Sequence, residues 1–246
     1  MSDLVLREDR GSVAYLTLNR PAQLNALSPS LFVELRKHVD DIAASQDTVG
    51  CVVLRGEGRS FSAGNDIKAI QSGDRAPSAH FQAETIDALE SLPQPVIAAV
   101  TGHCYTGALE LALGCDFIVA GESARFADTH GKWSMTPTWG MSQRLPRRIG
   151  TARAKQMMFT GTPVSGVEAV ALGLANVCVP DEQLASKVDE LAAAIVANSW
   201  HTLRADKSLV NEGQQFALRE ALAYERRTSP GAGPDMAERL KSFGAR

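Results

Sequence analysis

The chain has 246 residues, 44% of them hydrophobic and 22% charged, the balance of a globular protein with enough apolar content for a sizeable core. Its net charge of −3 supplies no global basic field, which argues against nucleic acid or an anionic membrane as partner. An anionic ligand therefore needs a local positive site.

No apolar run approaches the roughly 18 residues of a membrane span. The N-terminal MSDLVLREDRG carries charges where a signal peptide needs its apolar segment. Cys51, Cys104, Cys115 and Cys178 form no C-x-x-C pair and read as reduced core thiols, with no metal site expected. Together these features point to the cytoplasm.

In chain order, SVAYLTL (12–18) alternates and is β-branched, the pattern of a strand, and Asn19, Arg20 and Pro21 break it. Ser28 followed by Pro29 opens a helix in which Leu31, Leu35, Val39 and Ile42 repeat at helical spacing to about Ala44. GCVVLRGEG (50–58) reads as a buried strand, and RSFSAGNDIKAI (59–70) leaves it through a small-residue turn into a helix. A helix over 78–92 stops at Pro93 and Pro95, and VIAAV (96–100) is the next strand. Turn and helix follow in TGHCYTGALELALGCD (101–116), then strands at 116–121 and 124–127. Short helices surround Pro146 and Gly150, another ends at Gly173, and 174–180 is a strand. Beyond Pro180 the pattern is helical: 181–198, about 199–212, 214–228 and 234–243, with TSPGAGP (228–234) as a hinge. The expectation is an α/β core over 1–180 and a C-terminal helical region over 181–246. The strand–helix units are too few and too unevenly spaced for an eightfold barrel.

One carboxylate stands out. Glu110 lies among Ala108, Leu109, Leu111, Ala112 and Leu113. Burying it unpaired costs several kcal/mol or drives its pKa up, so it is either on a wet helix face or at work. Upstream, Gly102 and Gly107 have P-loop spacing, but Ala108 and Leu109 follow where Lys and Ser or Thr are needed. No G-x-G-x-x-G follows an expected strand, and no G-x-S-x-G elbow occurs. Two turns share a design: Ser62-Ala63-Gly64-Asn65-Asp66 and Thr106-Gly107-Ala108 each link a strand to a helix. Backbone N–H groups there can converge on one oxygen as an oxyanion hole, although ordinary strand–helix turns also carry glycine.

FSAGNDIK, together with VIAAVTGHCYTGALELALGCDFIVAGESARFA, resembles the enoyl-CoA hydratase/isomerase (crotonase) family. NRPAQLNAL, TPTWGMSQRLPRRIG and GTPVSGVEAVALGLANVCVP extend the resemblance to about residue 225. It implies a crotonase-like spiral of ββα units, with the C-terminal helices packing in a homotrimer or dimer of trimers. The implied ligand is an acyl-CoA thioester, with no separate cofactor because coenzyme A enters as part of the substrate. By motif position the N–H groups of Asn65 and Gly107 hold the thioester oxygen. The backbone of Ala63, Gly64, Asp66 and Ile67 binds substrate around the adenine, Lys68 lies near the nucleotide, and Arg20 and Gln23 flank coenzyme A. Glu110, one helical turn beyond Gly107, becomes the proton-transfer residue.

Hydratases of this family use a second glutamate, and at its position this chain has His130. His130 is a candidate for the second catalytic role because imidazole titrates near neutrality, with Asp128 placed to orient it. The other reading, favoured by the missing motif match, is a residue that only lines the pocket. Trp133 and Trp139 line the acyl pocket or pack nearby, and Arg144, Arg147, Arg148, Arg153 and Lys155 read as a solvated basic cluster. The expected activity is addition of water to a 2-enoyl-CoA. The alternatives are an isomerase or decarboxylase using one acid/base glutamate, or a non-catalytic acyl-CoA-binding protein.

Overall fold

The computed structural model describes residues 3–243. The two residues before and three after, which the boundaries 1–180 and 181–246 include, lie outside it. Along the described chain the strands are Val5–Arg10 (β1), Val13–Leu18 (β2), Cys51–Gly56 (β3), Val96–Val100 (β4), His103–Tyr105 (β5), Phe117–Gly121 (β6), Arg125–Ala127 (β7), Val164–Ser165 (β8) and Val177–Val179 (β9). The helices are Pro29–Ala44 (α1), Ile67–Gln71 (α2), Phe81–Glu90 (α3), Gly107–Leu113 (α4), Met141–Ile149 (α5), Thr151–Thr160 (α6), Gly166–Leu172 (α7), Asp181–Val196 (α8), Trp200–Gly213 (α9), Leu218–Thr228 (α10) and Met236–Phe243 (α11).

The main sheet has the order β1-β2-β3-β4-β6-β9, and only β1 runs antiparallel to its neighbour. Its central strands are apolar on both faces because both are covered, which explains continuous runs such as VIAAV. One face presents Leu16, Leu18, Val52, Leu54, Ala98 and Val100 to a core filled by Leu31, Phe32 and Leu35 of α1, Ile86 of α3 and Leu109 of α4. The alternate residues Tyr15, Cys51, Val53, Ile97 and Val119 meet Leu184, Val188, Ala192 and Ile195 of α8. No described strand follows Pro180, and α8 packs directly on the sheet. Helices α9 and α10 bury no residue, and they and their connection leave Val210, Phe216, Leu218 and Leu222 exposed.

A second ladder stacks across the first. Ser62 bridges Cys104, Cys104 pairs with Phe126, and Phe126 pairs with Val164. Ser62, β5 and β7 each follow a strand of the main sheet (β3, β4 and β6), whereas β8 follows α6, so the chain winds as a spiral of ββα units. Gly102 (φ +52) makes the corner between β4 and β5, where a Cβ would stand 2.2 Å from the Arg59 carbonyl oxygen.

Three strands are absent from the sequence reading. β1 is an edge strand with one buried residue, Val5, and charged residues elsewhere, so it lacks alternation. β5 and β8 have three and two residues, too short for any period to show. The basic cluster also divides: Arg148 is largely buried and donates to the carbonyl of Cys115 (2.8 Å), and Arg144 pairs with Asp87 and Glu90 (2.6 Å each). These two arginines tie α5 to its neighbours, correcting their reading as solvated surface.

Candidate active site

The two glycine turns lie side by side. Ser62 N–H donates to His103 O (2.8 Å) and Tyr105 N–H to Ser62 O (3.4 Å), which sets residues 62–65 against 103–106. Gly64 (φ +98) is needed there, since a Cβ would meet the Tyr105 carbonyl oxygen at 2.6 Å. The first turn is also tied to the N-terminal loop: Ala63 N–H donates to Leu24 O, Leu27 N–H to Gly64 O and Asp66 N–H to Leu27 O. Arg20 pairs with Asp66 (2.7 Å), whose other oxygen caps α2 through Ala69 N–H (2.9 Å). Burial opposes the charge on Asp66, but the Ala69 N–H and Arg20 outweigh it and hold its pKa below the ordinary value. Ile67 and Lys68 are exposed beside this turn, and Gln23 ends an exposed 3-10 turn over Pro21–Gln23.

Neither the N–H of Asn65 nor that of Gly107 finds an acceptor among the described residues. The Oδ1 of Asn65 is likewise buried without a partner. Gly107 is buried beneath the ring of Trp139, where a Cβ would come within 2.4 Å of Cζ3. Trp139 packs edge-on against Phe32, with centroids 5.1 Å apart, whereas Trp133 is 69% exposed.

Glu110 is 1% exposed, so its helix is not amphipathic at this position. All seven residues of α4 are buried. Its Oε1 accepts from the N–H of Trp139 (2.9 Å) and of Met141 (3.0 Å). Burial pushes the pKa of Glu110 up, against the opposing pull of those N–H groups and of His130. The free Oε2 faces His130 Nε2 at 3.8 Å. His130 in turn holds Asp128 Oδ1 with Nδ1 (2.6 Å) and with its backbone N–H (3.0 Å). Burial works against a charged imidazole, but the Asp128 bond, the Asp128 charge and Glu110 outweigh it and raise the pKa of His130.

The sequence reading missed the loop that holds Glu110. Arg144 donates to the Trp139 carbonyl (2.8 Å) while anchored by Asp87 and Glu90, and so braces the segment whose N–H groups grip the carboxylate. Backbone donors from 29 and 31 residues away leave no mark in a linear pattern. The one available signal was an arginine four residues beyond Gly140, whose φ of +116 turns the loop.

Two turns with unsatisfied donors beside a dry carboxylate and an oriented imidazole, set on a ββα spiral, form an arrangement with the chemistry for proton transfer next to a polarised oxygen. The chain belongs to the enoyl-CoA hydratase/isomerase family, whose model matches residues 8–235. It is 34% identical over 221 residues to the probable peroxisomal enoyl-CoA hydratase 1 of Arabidopsis thaliana, covering 90% of this chain and 83% of that protein. It is 35% identical over 225 residues to the short-chain-enoyl-CoA hydratase of Clostridium acetobutylicum, covering 90% and 86%. The crystal structure of an enoyl-CoA hydratase from Bacillus anthracis matches with a TM-score of 0.92 at 34% identity, covering 98% of this chain and 96% of that one.

Proposed function

We propose that the chain is an enoyl-CoA hydratase that adds water across the double bond of a 2-enoyl-CoA. The observation that carries this is the Glu110–His130 pair, 3.8 Å apart, beside the unpartnered N–H groups of Asn65 and Gly107. Those two donors receive the thioester oxygen as it gains enolate charge, each contributing about 2.7–4 kcal/mol to lowering the barrier. Ionised Glu110 takes a proton from water as the hydroxyl adds to the β-carbon. Protonated His130, oriented by Asp128, gives its Nε2 proton to the α-carbon. The product carries both parts of the water, leaving Glu110 protonated and His130 neutral. Direct transfer from Oε2 to Nε2 restores the starting state. His130 thus fills the place of the family's second glutamate, with Nδ1 occupied by Asp128 so that Nε2 alone exchanges protons. Ala63, Gly64, Asp66, Ile67 and Lys68 serve substrate binding at the first turn. No metal or separate cofactor enters this chemistry.

Crotonyl-CoA is the test substrate. Loss of the enoyl absorbance with formation of 3-hydroxybutyryl-CoA is the expected result. A double-bond shift without water uptake in a 3-enoyl-CoA would favour the isomerase reading, and binding without turnover a non-catalytic one.

The ligand is the thioester rather than the acid, because the donor turns and the nucleotide flank act together. Calorimetry should show crotonyl-CoA binding at least about 10²-fold tighter than crotonate, a difference of roughly 2.7 kcal/mol. Equal affinities would overturn this assignment. For assembly, the exposed Val210, Phe216, Leu218 and Leu222 on α9, α10 and their connection support burial between subunits of a homotrimer or dimer of trimers. Light scattering should give a multiple of three subunits, and a stable monomer would refute the assembly. No described helix is long and apolar enough to cross a membrane. The four free cysteines support a reducing compartment, which for this chain we take as the cytoplasm.

A further inference from the structure

Thr106 has backbone angles φ +55 and ψ −113, a region that glycine occupies freely and a β-branched residue does not. It immediately precedes Gly107, whose N–H is one of the two free donors. A strained non-glycine residue at such a place persists only when its side chain is held. Thr106 Oγ1 lies 2.5 Å from Thr129 Oγ1 and also accepts the Thr129 backbone N–H (3.2 Å). Its own N–H donates to Ala127 O (2.8 Å), and its carbonyl accepts the N–H of Glu110 (3.0 Å). A Cβ on Gly64 would stand 3.6 Å from Thr106 Cβ, so the first donor turn rests against the same residue. Thr106 therefore sits between the first donor turn and the Ala127–His130 segment that carries Asp128 and His130, and its hydroxyl bonds to that segment.

We infer that Thr106 and Thr129 are positioning residues, a hydroxyl pair that locks the imidazole segment in register with the two donor turns. This rests on the reading of the site as an acid/base centre. A glycine at 106 would relax the backbone but sever the link. Neither hydroxyl need touch substrate. What the link sets is the relative placement of Gly107 N–H, Glu110 and His130 Nε2, which come from two separate turns of the spiral.

The test compares Thr106→Gly, Thr129→Val and Thr106→Ser. Thr106→Gly should melt no lower than wild type yet lose about tenfold in kcat, with binding of saturated butyryl-CoA unchanged, since small misplacement of catalytic groups lowers rate rather than affinity. Thr129→Val keeps the strained backbone and should show the same loss, and the double variant should lose no more than either single one. Thr106→Ser retains the hydroxyl and should recover most of the rate. The NMR titration of the His130 ring is read in parallel. It should move toward the ordinary imidazole value in Thr106→Gly and Thr129→Val, because a loosened segment weakens the Asp128 contact. Wild-type kcat and an unmoved titration in both variants would overturn the inference, as would Thr106→Ser behaving like Thr106→Gly. If wild type does not hydrate crotonyl-CoA, the hydratase reading fails, while the titration still decides whether the hydroxyl pair positions His130.

Discussion

Replacing Glu110 by glutamine should lower kcat on crotonyl-CoA by roughly 10²-fold or more, the scale of a lost general acid/base, with little change in butyryl-CoA affinity. The amide keeps the shape and can still accept the Trp139 and Met141 N–H groups through its oxygen. It cannot take a proton from water. The same change should affect stability in the opposite sense. The folded pKa of Glu110 is raised by burial, so folding favours its protonated form. The resulting penalty is absent below the ordinary carboxylate range and fully present above the raised folded value. Denaturant curves for the glutamine variant should therefore gain on wild type as pH rises through that window. A variant that hydrates crotonyl-CoA at the wild-type rate would remove Glu110 from the mechanism.

The second large effect belongs to His130 and Asp128. The pH–rate profile should be bell-shaped, with activity lost at low pH as Glu110 protonates and at high pH as His130 loses its proton. Both pKa values lie above their ordinary positions, so both limbs are displaced upward. His130→Ala should cost about 10²-fold in kcat and abolish the alkaline limb. Asp128→Asn removes the charge and weakens the bond that raise the imidazole pKa, so the alkaline limb should move to lower pH while crotonyl-CoA binding stays intact. If His130 only lined the pocket, its alanine variant would change KM and acyl-chain range instead, and the alkaline limb would stay in place.

Much of this site is legible in the linear sequence, for a physical reason. The glycines, the small residues around Asn65 and the carboxylate in an aliphatic run are local demands of turn geometry and helix period, so adjacent residues display them. The apolar runs of β3 and β4 likewise announce a sheet covered on both faces. The edge strand β1 escapes because solvent-facing polarity erases the alternation, and β5 and β8 because two or three residues hold no period.

Periodicity and turn chemistry along the chain are enough to specify the α/β alternation, the helical C-terminal third, and the two turns with Glu110 one helical turn past Gly107. Packing in three dimensions left every face of α4 dry, since burial depends on what packs against it. It decided that Trp139 and Met141 hold Oε1 and that Arg144 is a brace rather than a solvated charge. It also placed His130 across from Oε2, oriented by Asp128. The contacts of Glu110 join residues 20 to 31 positions apart through backbone N–H groups and buried charges. Every residue except proline has an N–H, and the effect of a charge depends on its distance and burial. Neither quantity exists until the spiral closes and brings the segments together.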